Sequence, residues 1–335
     1  ISTRKAMNFL FDPKSEHVEK KYGLVVGHVQ SGKTANYTGL ISRAVDSGYN
    51  VIVVLAGLHN NLRRQTQLRL ERELMGRSRH PEGHHVRAPQ NYDWINLTTE
   101  EDDFQELPTS AFFSSSNPVI AVIKKNKSPL TKIRNMFLDY PEEKRAKLNL
   151  LIIDDEADHA SVDVGGDEEE EEEEESGEGA VDNPSLTNRM LRQIIKRFRD
   201  WETSWYLGYT ATPFANLLSS PGMGEAGDDN GPSLHPRDML HVLDKPEGHL
   251  DNEQYFLTPG RPNVEDGVSV SPRLSEEEKD DFREVVMRHI LTQLVKDLRG
   301  INGHHSTLIH TSIQVDDHRR IADLVRQIID EMKGP

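Results

Sequence analysis

The stretch GHVQSGKT, Gly27 to Thr34, matches the pattern G-x-x-x-x-G-K-[ST] at every fixed position. It follows a short apolar run, Leu24 to Val26, and leads into TANYTGLISRAVDSG, whose apolar residues recur at helical spacing until Gly48. A strand, a glycine-containing loop and a helix in this order are the context in which the pattern binds phosphate. The stretch therefore predicts a P-loop within an α/β fold.

The residue types of this loop indicate what each would do. Backbone N–H groups and the N-terminus of the following helix attract phosphate oxygens. Gly27 and Gly32 let the backbone approach the phosphates closely. We predict that Lys33 neutralises the β- and γ-phosphates and that the Thr34 hydroxyl ligates Mg²⁺. The alternative, a chance match in an ordinary glycine turn, does not account for the strand before it and the helix after it.

A second apolar run, LNLLIIDDEAD from Leu148 to Asp158, ends in acidic residues. A P-loop enzyme needs one carboxylate at the metal and another group that positions the attacking water. We assign Asp155 to Mg²⁺ and Glu156 to the water, and we expect Asp154 to be a strand residue that faces elsewhere. Taken alone, four acidic letters are usually a solvated turn, so this assignment depends on the P-loop lying in the same sheet.

A third run, YTATPFANLL from Tyr209 to Leu218, ends in small hydroxyl residues. Thr210 and Thr212 at a strand tip are able to hydrogen-bond the acidic motif and act as a relay. The alternative is a plain turn between strand and loop, with Pro213 ending the strand.

The rest of the first two thirds alternates strand-like and helix-like segments. Val51 to Ala56 and Val119 to Ile123 have the composition of buried strands. Leu58 to Leu74 and Leu186 to Phe198 have the spacing of helices. Strands that are apolar throughout predict an α/β fold, with a mostly parallel sheet and helices on both faces. Ligands of such sheets bind beyond the carboxyl ends of the strands, where all three motifs stand.

The last third has a different composition. From Leu218 to about Pro272 the chain is rich in Gly, Pro, Asp and Asn, which we interpret as loops with a little structure. Ser275 and Glu278 form a capping-box pattern that opens a long helix. A strand at Ser306 to Thr311 and a further helix then predict the first β-α unit of a second lobe.

Negative charge is concentrated in one run. The 335 residues carry a formal net charge of −16, and ten of the negative charges lie between Asp167 and Glu178. Adjacent like charges repel and stay solvated, so we predict a disordered acidic loop at 163–182, with a metal-buffering or DNA-mimicking role as the alternative. The rest of the chain is only mildly acidic, which leaves nucleic-acid binding open because local patches decide it.

Composition excludes several other kinds of site. The chain has no cysteine, which excludes disulfides, cysteine-based zinc sites and cysteine nucleophiles, and which fits a cytoplasmic protein. No apolar stretch approaches the roughly 18 residues of a membrane helix, so we expect no membrane association. No signal peptide is visible, and Ile1 is what a fragment edge or a processed N-terminus would give. Six clustered histidines lack regular ligand spacing, and we interpret them as loop residues: His80, His84, His85, His304, His305 and His310.

Three such loops in this order are similar to those of the first RecA-like lobe of superfamily 2 helicases. Longer strings resemble the Z1-domain proteins: GLVVGHVQSGKTANYTGLISRAVDSGYNVIVVLAGLHNNLRRQTQLRL, LLIIDDEADHAS, DNPSLTNRMLRQIIKRF and YLGYTATPFANLL. LHPRDMLHVLDKPEGHLDNEQYF, Leu234 to Phe256, resembles the segment that follows in that family. These are bacterial and phage proteins described as endonucleases with a helicase-type ATPase. The resemblance covers most of the chain outside the acidic run and the loops around Gly222 to Gly231.

The resemblance implies a RecA-like P-loop ATPase lobe that uses ATP and Mg²⁺ and acts on DNA. It also implies a partner, either a nuclease or another subunit of a bacterial defence-type system. The roles derived above carry over to Lys33, Thr34, Asp155 and Glu156. Further ATP-side residues of the same motifs are Gln30, Ser31, Gly32, Thr210 and Thr212.

The resemblance implies that the chain is divided into three segments. Residues 1–220 would be the RecA-like lobe, 221–274 a loop-rich connecting segment of the Z1 type, and 275–335 the start of a second, incomplete α/β lobe. The chain departs from the family in two ways. The late motifs that supply an arginine finger are not found, and the acidic run is an insertion.

Superfamily 2 lobes hold the nucleic-acid backbone with loops opposite the nucleotide. GLHNNLRRQTQ follows the second strand and KKN follows another, so both place donors where phosphate contacts are expected. The alternative is a solvated helix start with ordinary charges. The predicted contacts are Asn60, Asn61, Arg63, Arg64, Gln65, Lys124 and Lys125.

No convincing cluster of carboxylates and a lysine is found for a nuclease site, so cleavage rests on the resemblance alone. The sequence predicts an Mg²⁺-dependent ATPase of the helicase type that acts on DNA. A nucleotide-binding module that gates a partner protein without unwinding or cleavage is the alternative from another class. A third hypothesis is an inactive fragment that only binds ATP.

Overall fold

Most strands of the chain are the apolar runs of the sequence. Within the residues that the structure describes, the strands are β1 (Glu19–Val26), β2 (Val51–Ala56), β3 (Arg77–Arg79), β4 (His85–Arg87), β5 (Ile95–Asn96), β6 (Val119–Ile123), β7 (Asn149–Asp155), β8 (Thr203–Thr210) and β9 (Met239–Val242). The helices are α1 (Ser2–Met7), α2 (Lys33–Ser47), α3 (Asn60–Glu73), α4 (Lys127–Leu138), α5 (188–193), α6 (Phe214–Leu218), α7 (Glu276–Leu298) and α8 (Val315–Lys333).

The chain divides into two units, Ile1–His249 and Leu250–Pro335, and each is described by itself. The predicted acidic loop at 163–182 lies outside the described residues, as do Gln30 and four of the six clustered histidines. The structure is a computed structural model that describes residues 2–9, 19–29, 31–79, 85–87, 92–101, 117–138, 148–159, 188–193, 203–219, 233–247, 276–303, 305–309 and 315–333.

Seven strands of the first unit form one sheet in the order β5-β6-β2-β7-β8-β1-β9, and every neighbouring pair is parallel. Strands β3 and β4 form a separate antiparallel pair. All residues of β2 and β6 are buried, because central parallel strands are covered on both faces. The predicted α/β fold with a mostly parallel sheet is therefore confirmed.

Helices cover both faces of this sheet. On one face, Leu40 and Ile41 of α2 and Leu70 of α3 pack against Val54, Ile153 and other strand residues. On the other face, residues of α4 and α5 pack against a second set of strand residues; the helix residues are Leu130, Ile133, Met136, Met190 and Leu191. Alternate residues of each strand point to opposite faces, so β7 sends Leu150 and Ile152 to one cluster and Leu151 and Ile153 to the other.

The sheet brings the ends of five strands to one edge. Val26 at the end of β1 lies opposite Thr210 at the end of β8. Asp155 at the end of β7 lies opposite Tyr209 on one side and Ala56 on the other. The end of β6 is aligned with that of β2 in the same way. The loops that follow these strands therefore meet at the carboxyl edge, where ligands of parallel sheets bind.

Two strands of this sheet were not predicted from the sequence. Strand β9 lies in the stretch that we interpreted as loops with a little structure, and it pairs with β1 at the edge of the sheet. An edge strand has a neighbour on one side only, so β9 exposes two apolar residues, Leu240 and Val242, and its four residues are too few to show a strand period in the sequence. Strand β5 has two residues, which is too short for a periodicity.

The second unit contains α7 and α8, which pack through an apolar cluster. Its buried residues are Phe282, Val286, Ile321, Leu324 and Ile328. The predicted strand at Ser306 to Thr311 is not formed over its described residues 306–309, and Leu308 is 88% exposed. A strand needs a partner for its N–H and C=O groups, and the described residues of this unit contain no other strand. No helix in the described ranges is both long and apolar enough to cross a membrane.

Candidate active site

The loop between β1 and α2 has the backbone geometry of a phosphate-binding loop. Gly27 donates its N–H to the carbonyl of Thr210 at 3.0 Å, which ties the start of the loop to the end of β8. Gly32 has φ 91° and forms the N-cap of α2. This left-handed conformation strains residues that carry a Cβ, so glycine is required there. A Cβ at Gly27 would lie 3.0 Å from Ser31 Oγ and 3.1 Å from Lys33 Cγ, which would crowd the inside of the loop.

Several polar groups of this loop make few contacts within the protein. Lys33 is only 9% exposed, and its Nζ lies 3.5 Å from the carbonyl of His28, which is a weak contact for an ammonium. Ser31 Oγ is buried and has no hydrogen-bond partner among the described residues. The N-terminus of α2 has no side-chain cap. A buried cation, an unpaired hydroxyl and an uncapped helix N-terminus together fit a bound phosphate chain.

Tyr37 connects the P-loop helix to the acidic motif. Tyr37 lies one turn after Thr34 on α2, and its hydroxyl donates to Asp155 Oδ2 at 3.1 Å. Burial, together with the charge of Asp155, raises the pKa of Tyr37 well above its usual value, so its hydroxyl keeps its proton. One buried hydroxyl therefore links α2, the helix that carries Thr34, to Asp155, the other residue that the sequence assigns to Mg²⁺.

Asp155 is held in a setting that opposes its ionisation. Burial, followed by the charge of the adjacent Glu156, raises the pKa of Asp155 to about 6. The hydrogen bond from Tyr37 and the charges of Lys125 and Lys33 act in the opposite direction. A carboxylate that is partly desolvated and close to a cationic loop is suited to ligate a divalent ion.

Glu156 occupies the tight turn that follows β7. Its φ is 56°, and it is the one residue other than glycine with a positive φ in the described part of the chain. The N–H of the next residue, Ala157, donates to the carbonyl of Tyr209 at 3.0 Å. His159 donates its N–H to the carbonyl of Glu156 at 2.9 Å. These backbone hydrogen bonds therefore fix the main chain from which the Glu156 side chain extends.

The third loop hydrogen-bonds the acidic motif, as its sequence suggested. Thr210 donates to Asp158 Oδ1 at 2.6 Å, and the Thr212 hydroxyl donates to the other carboxylate oxygen. Partial burial opposes ionisation of Asp158, but the two hydroxyl donors outweigh it and hold its pKa below the usual value. Asn216 adds a hydrogen bond to the carbonyl of Ala157 at 2.8 Å. The two strand ends are therefore tied together by side chains.

Asp154 faces away from this site. It lies on the opposite side of β7, where it is fully buried and pairs with Lys125, with 2.7 Å between Oδ1 and Nζ. Tyr206 donates its hydroxyl to the second carboxylate oxygen. Adjacent residues of a strand point to opposite faces, which separates Asp154 from Asp155.

The predicted nucleic-acid contacts divide into exposed and buried residues. Asn60, Asn61, Arg64 and Gln65 are exposed at the start of α3, and Lys124 is half-buried. The prediction is wrong for Arg63, which is 3% exposed and donates to the carbonyls of Thr99 and Glu100 at 2.7 and 2.6 Å. It is also wrong for Lys125, whose ammonium is fully buried and therefore cannot reach a phosphate backbone.

The sequence analysis missed Tyr37 and gave Lys125 a different role. Tyr37 lies one helical turn after Lys33 and Thr34, so helical spacing alone could have placed it on the same face. Lys125 follows an apolar strand beside another lysine, and nothing in the sequence shows which of the two turns inward. The described residues contain no group of three or more His, Cys, Asp or Glu side chains that could hold a metal.

No protein-family profile and no curated protein matches the chain. One solved structure to which it is similar is the crystal structure of the Pyrococcus furiosus Hef helicase domain, with 15% sequence identity and a TM-score of 0.35. The likeness covers 100% of this chain and 54% of that chain, so the chain spans about half the length of that structure. Membership of the Z1-domain family stays a prediction from the quoted strings.

Proposed function

We propose that the chain is an Mg²⁺-dependent ATPase of the superfamily 2 helicase type that acts on DNA in a Z1-type endonuclease or defence-type system. One observation carries the proposal. The P-loop and the acidic motif lie at the same edge of one parallel sheet, and Tyr37, on the helix that follows the P-loop, donates its hydroxyl to Asp155.

Each part of a nucleotide complex has residues that suit it. Backbone N–H groups of the loop, the Ser31 hydroxyl and the Lys33 ammonium would hold the phosphates. Thr34 and Asp155 would hold Mg²⁺, which supplies neutralisation of charge on the phosphate oxygens. Glu156, on the strained turn beside Asp155, would orient the attacking water and accept its proton.

DNA would be held by the exposed residues at the start of α3 and by Lys124. Amide and guanidinium donors contact phosphate oxygens without reading bases, so the proposed interface is a backbone contact. Arg64 is 55% exposed but pairs with Glu100, so it would exchange a carboxylate for a phosphate on binding.

A DNA-stimulated ATPase assay tests this proposal. Turnover of ATP that depends on Mg²⁺ and rises with added DNA would support it. ATP binding without turnover at any DNA concentration would overturn it and favour the alternative, a nucleotide-binding module that gates a partner. Cleavage of DNA is assayed separately on supercoiled plasmid, because no described residue is assigned to it.

Replacing Tyr37 by phenylalanine is expected to raise the Mg²⁺ concentration needed for half-maximal ATP binding by about tenfold. The change removes only the hydroxyl that donates to Asp155, and groups that orient metal ligands typically contribute about 10–100-fold to metal affinity. The measurement is a titration of a fluorescent ATP analogue at fixed Mg²⁺ concentrations. Tyr92→Phe is the matched control, because Tyr92 also donates to an aspartate, Asp46, but at 3.2 Å on the surface of the unit. Equal Mg²⁺ requirements in the two variants would contradict the role given to Tyr37.

Lowering the pH through about 6 is expected to weaken Mg²⁺-dependent ATP binding. Burial and the neighbouring Glu156 raise the pKa of Asp155 to about 6, so the carboxylate is ionised above that pH and protonated below it. A proton competes with the metal for the carboxylate, and each pH unit below 6 should cost up to about tenfold in apparent Mg²⁺ affinity. Asp155→Asn binds more weakly but lacks this titration, and the phosphates of ATP titrate in both proteins. Identical slopes for the two proteins between about pH 5 and 7 would count against Asp155 as the ligand.

A further inference from the structure

A buried lysine lies against the carbonyl groups of the acidic turn. Lys125 follows β6, and its side chain is 0% exposed. Its Nζ lies 2.7 Å from Asp154 Oδ1, 2.6 Å from the carbonyl oxygen of Glu156 and 3.1 Å from that of His159. The two carbonyl oxygens accept hydrogen bonds from the ammonium, and Asp154 forms an ion pair with it.

The turn that this lysine contacts is strained. Glu156 has φ 56°, a region that residues with a Cβ rarely adopt. Such conformations persist when the surroundings over-determine them, and they cluster at functional sites. The carbonyl of Glu156 accepts from both Lys125 Nζ and the His159 N–H, while the His159 carbonyl accepts from the same ammonium. Lys125 therefore binds the carbonyl groups at both ends of the turn, residues 156 and 159.

We propose that Lys125 is a positioning residue for the ATPase reaction: its ammonium clamps residues 156–159 so that the Glu156 carboxylate points toward the attacking water. This inference rests on the proposed function, because only hydrolysis requires the Glu156 carboxylate to point toward a water molecule. Asp154 and Tyr206 complete the arrangement on the far face of the strand. The Asp154 carboxylate compensates the buried charge and accepts from the Tyr206 hydroxyl, so the lysine is fixed in place.

A purely structural ion pair makes a different prediction. If Lys125 and Asp154 only neutralise each other in the core, removing both charges together should restore a normal protein. If Lys125 also clamps the turn, the neutral pair should fold and bind ATP but lose turnover. The double variant Lys125→Met/Asp154→Asn therefore separates the two roles, since asparagine keeps an acceptor for Tyr206.

The experiment compares four variants with the parent chain: Lys125→Met, Lys125→Met/Asp154→Asn, Asp154→Asn and the control Lys132→Met. Lys132 is an exposed lysine on α4. Three quantities are measured: thermal unfolding, Kd and KM for ATP with kcat, and hydrogen exchange of the Ala157 and His159 amides. Exchange of these amides reports the turn directly and needs no hydrolysis.

In the double variant we expect ATP affinity within about twofold of the parent, kcat lower by about 100-fold, and exchange of both amides about tenfold faster. A misaligned catalytic group typically costs about this much in rate. Asp154→Asn should lose less than about tenfold in kcat, since the lysine still reaches both carbonyls. Lys132→Met should match the parent.

A folded double variant with parental kcat and parental amide exchange would overturn the proposal. If the double variant does not fold, Asp154→Asn decides: a loss as large as that of Lys125→Met would show that the ion pair, not the clamp, matters. A parent chain without ATP turnover would defeat the proposed function, while amide exchange in the same variants would still test the clamp.

Discussion

Alanine at position 33 is expected to reduce ATP affinity by about 100-fold or more. Lys33 is the buried cation of the P-loop, and its Nζ contacts the protein only weakly, at 3.5 Å from the His28 carbonyl. A hydrogen bond to a charged group is worth about 1.5–3 kcal/mol, and the ammonium would serve both the β- and the γ-phosphate. Loss of about 3 kcal/mol corresponds to roughly a hundredfold change in Kd. Titration of a fluorescent ATP analogue measures it.

Arg43→Ala is the matched control for this variant. It removes the same charge from the same helix, but Arg43 is exposed on the last turns of α2, far along the chain from the loop. Thermal unfolding should show that both variants keep the parent fold, because α2 is anchored by apolar residues such as Leu40 and Ile41. If Lys33→Ala and Arg43→Ala bind ATP equally well, the phosphates do not lie in this loop and the proposed function falls.

The central strands could be predicted closely because burial on both faces leaves a continuous apolar run. The predicted bounds of β2 and β6 agree with those of the structure. Edge strand β9 was missed because it has only four residues and lies in a stretch rich in Gly, Pro, Asp and Asn. The predicted strand at Ser306 to Thr311 failed differently. Its residues have strand composition, but composition cannot supply a neighbouring strand, and in the described part of the second unit there is none.

Charge was the least predictable property of the site. The sequence placed Arg63 and Lys125 among phosphate-facing groups because each follows a predicted strand, where contacts to a nucleic-acid backbone were expected. Their partners come from other segments: carbonyls at 99 and 100 for Arg63, and Asp154 with the acidic turn for Lys125. These partners are 29 or more residues away along the chain, so no local pattern reveals them. The acidic residues were easier, because alternation along β7 fixes that Asp154 and Asp155 face opposite ways.

Glutamine at position 156 is expected to keep ATP affinity within about twofold and to reduce turnover by about 1000-fold. The amide cannot accept the proton of the attacking water, and general base catalysis typically contributes about 10²–10⁴-fold. The turn itself should survive, because Lys125 and His159 bind the main-chain carbonyl of residue 156 and not its side chain. Glutamine and glutamate also have the same Cβ, so the positive φ of residue 156 strains both to the same extent. Single-turnover measurements with bound ATP separate loss of chemistry from loss of product release.

Glu73→Gln is the matched control, since it makes the same carboxylate-to-amide change on the surface of α3, where Glu73 pairs with Arg69 and Arg72. Parental turnover in Glu156→Gln would mean that another group handles the water. A parallel loss of ATP binding and turnover would place Glu156 at the nucleotide or the metal instead. Only retained binding with lost turnover agrees with the geometry, in which Tyr37 of the P-loop helix binds Asp155 and Glu156 lies on the separate turn that follows β7.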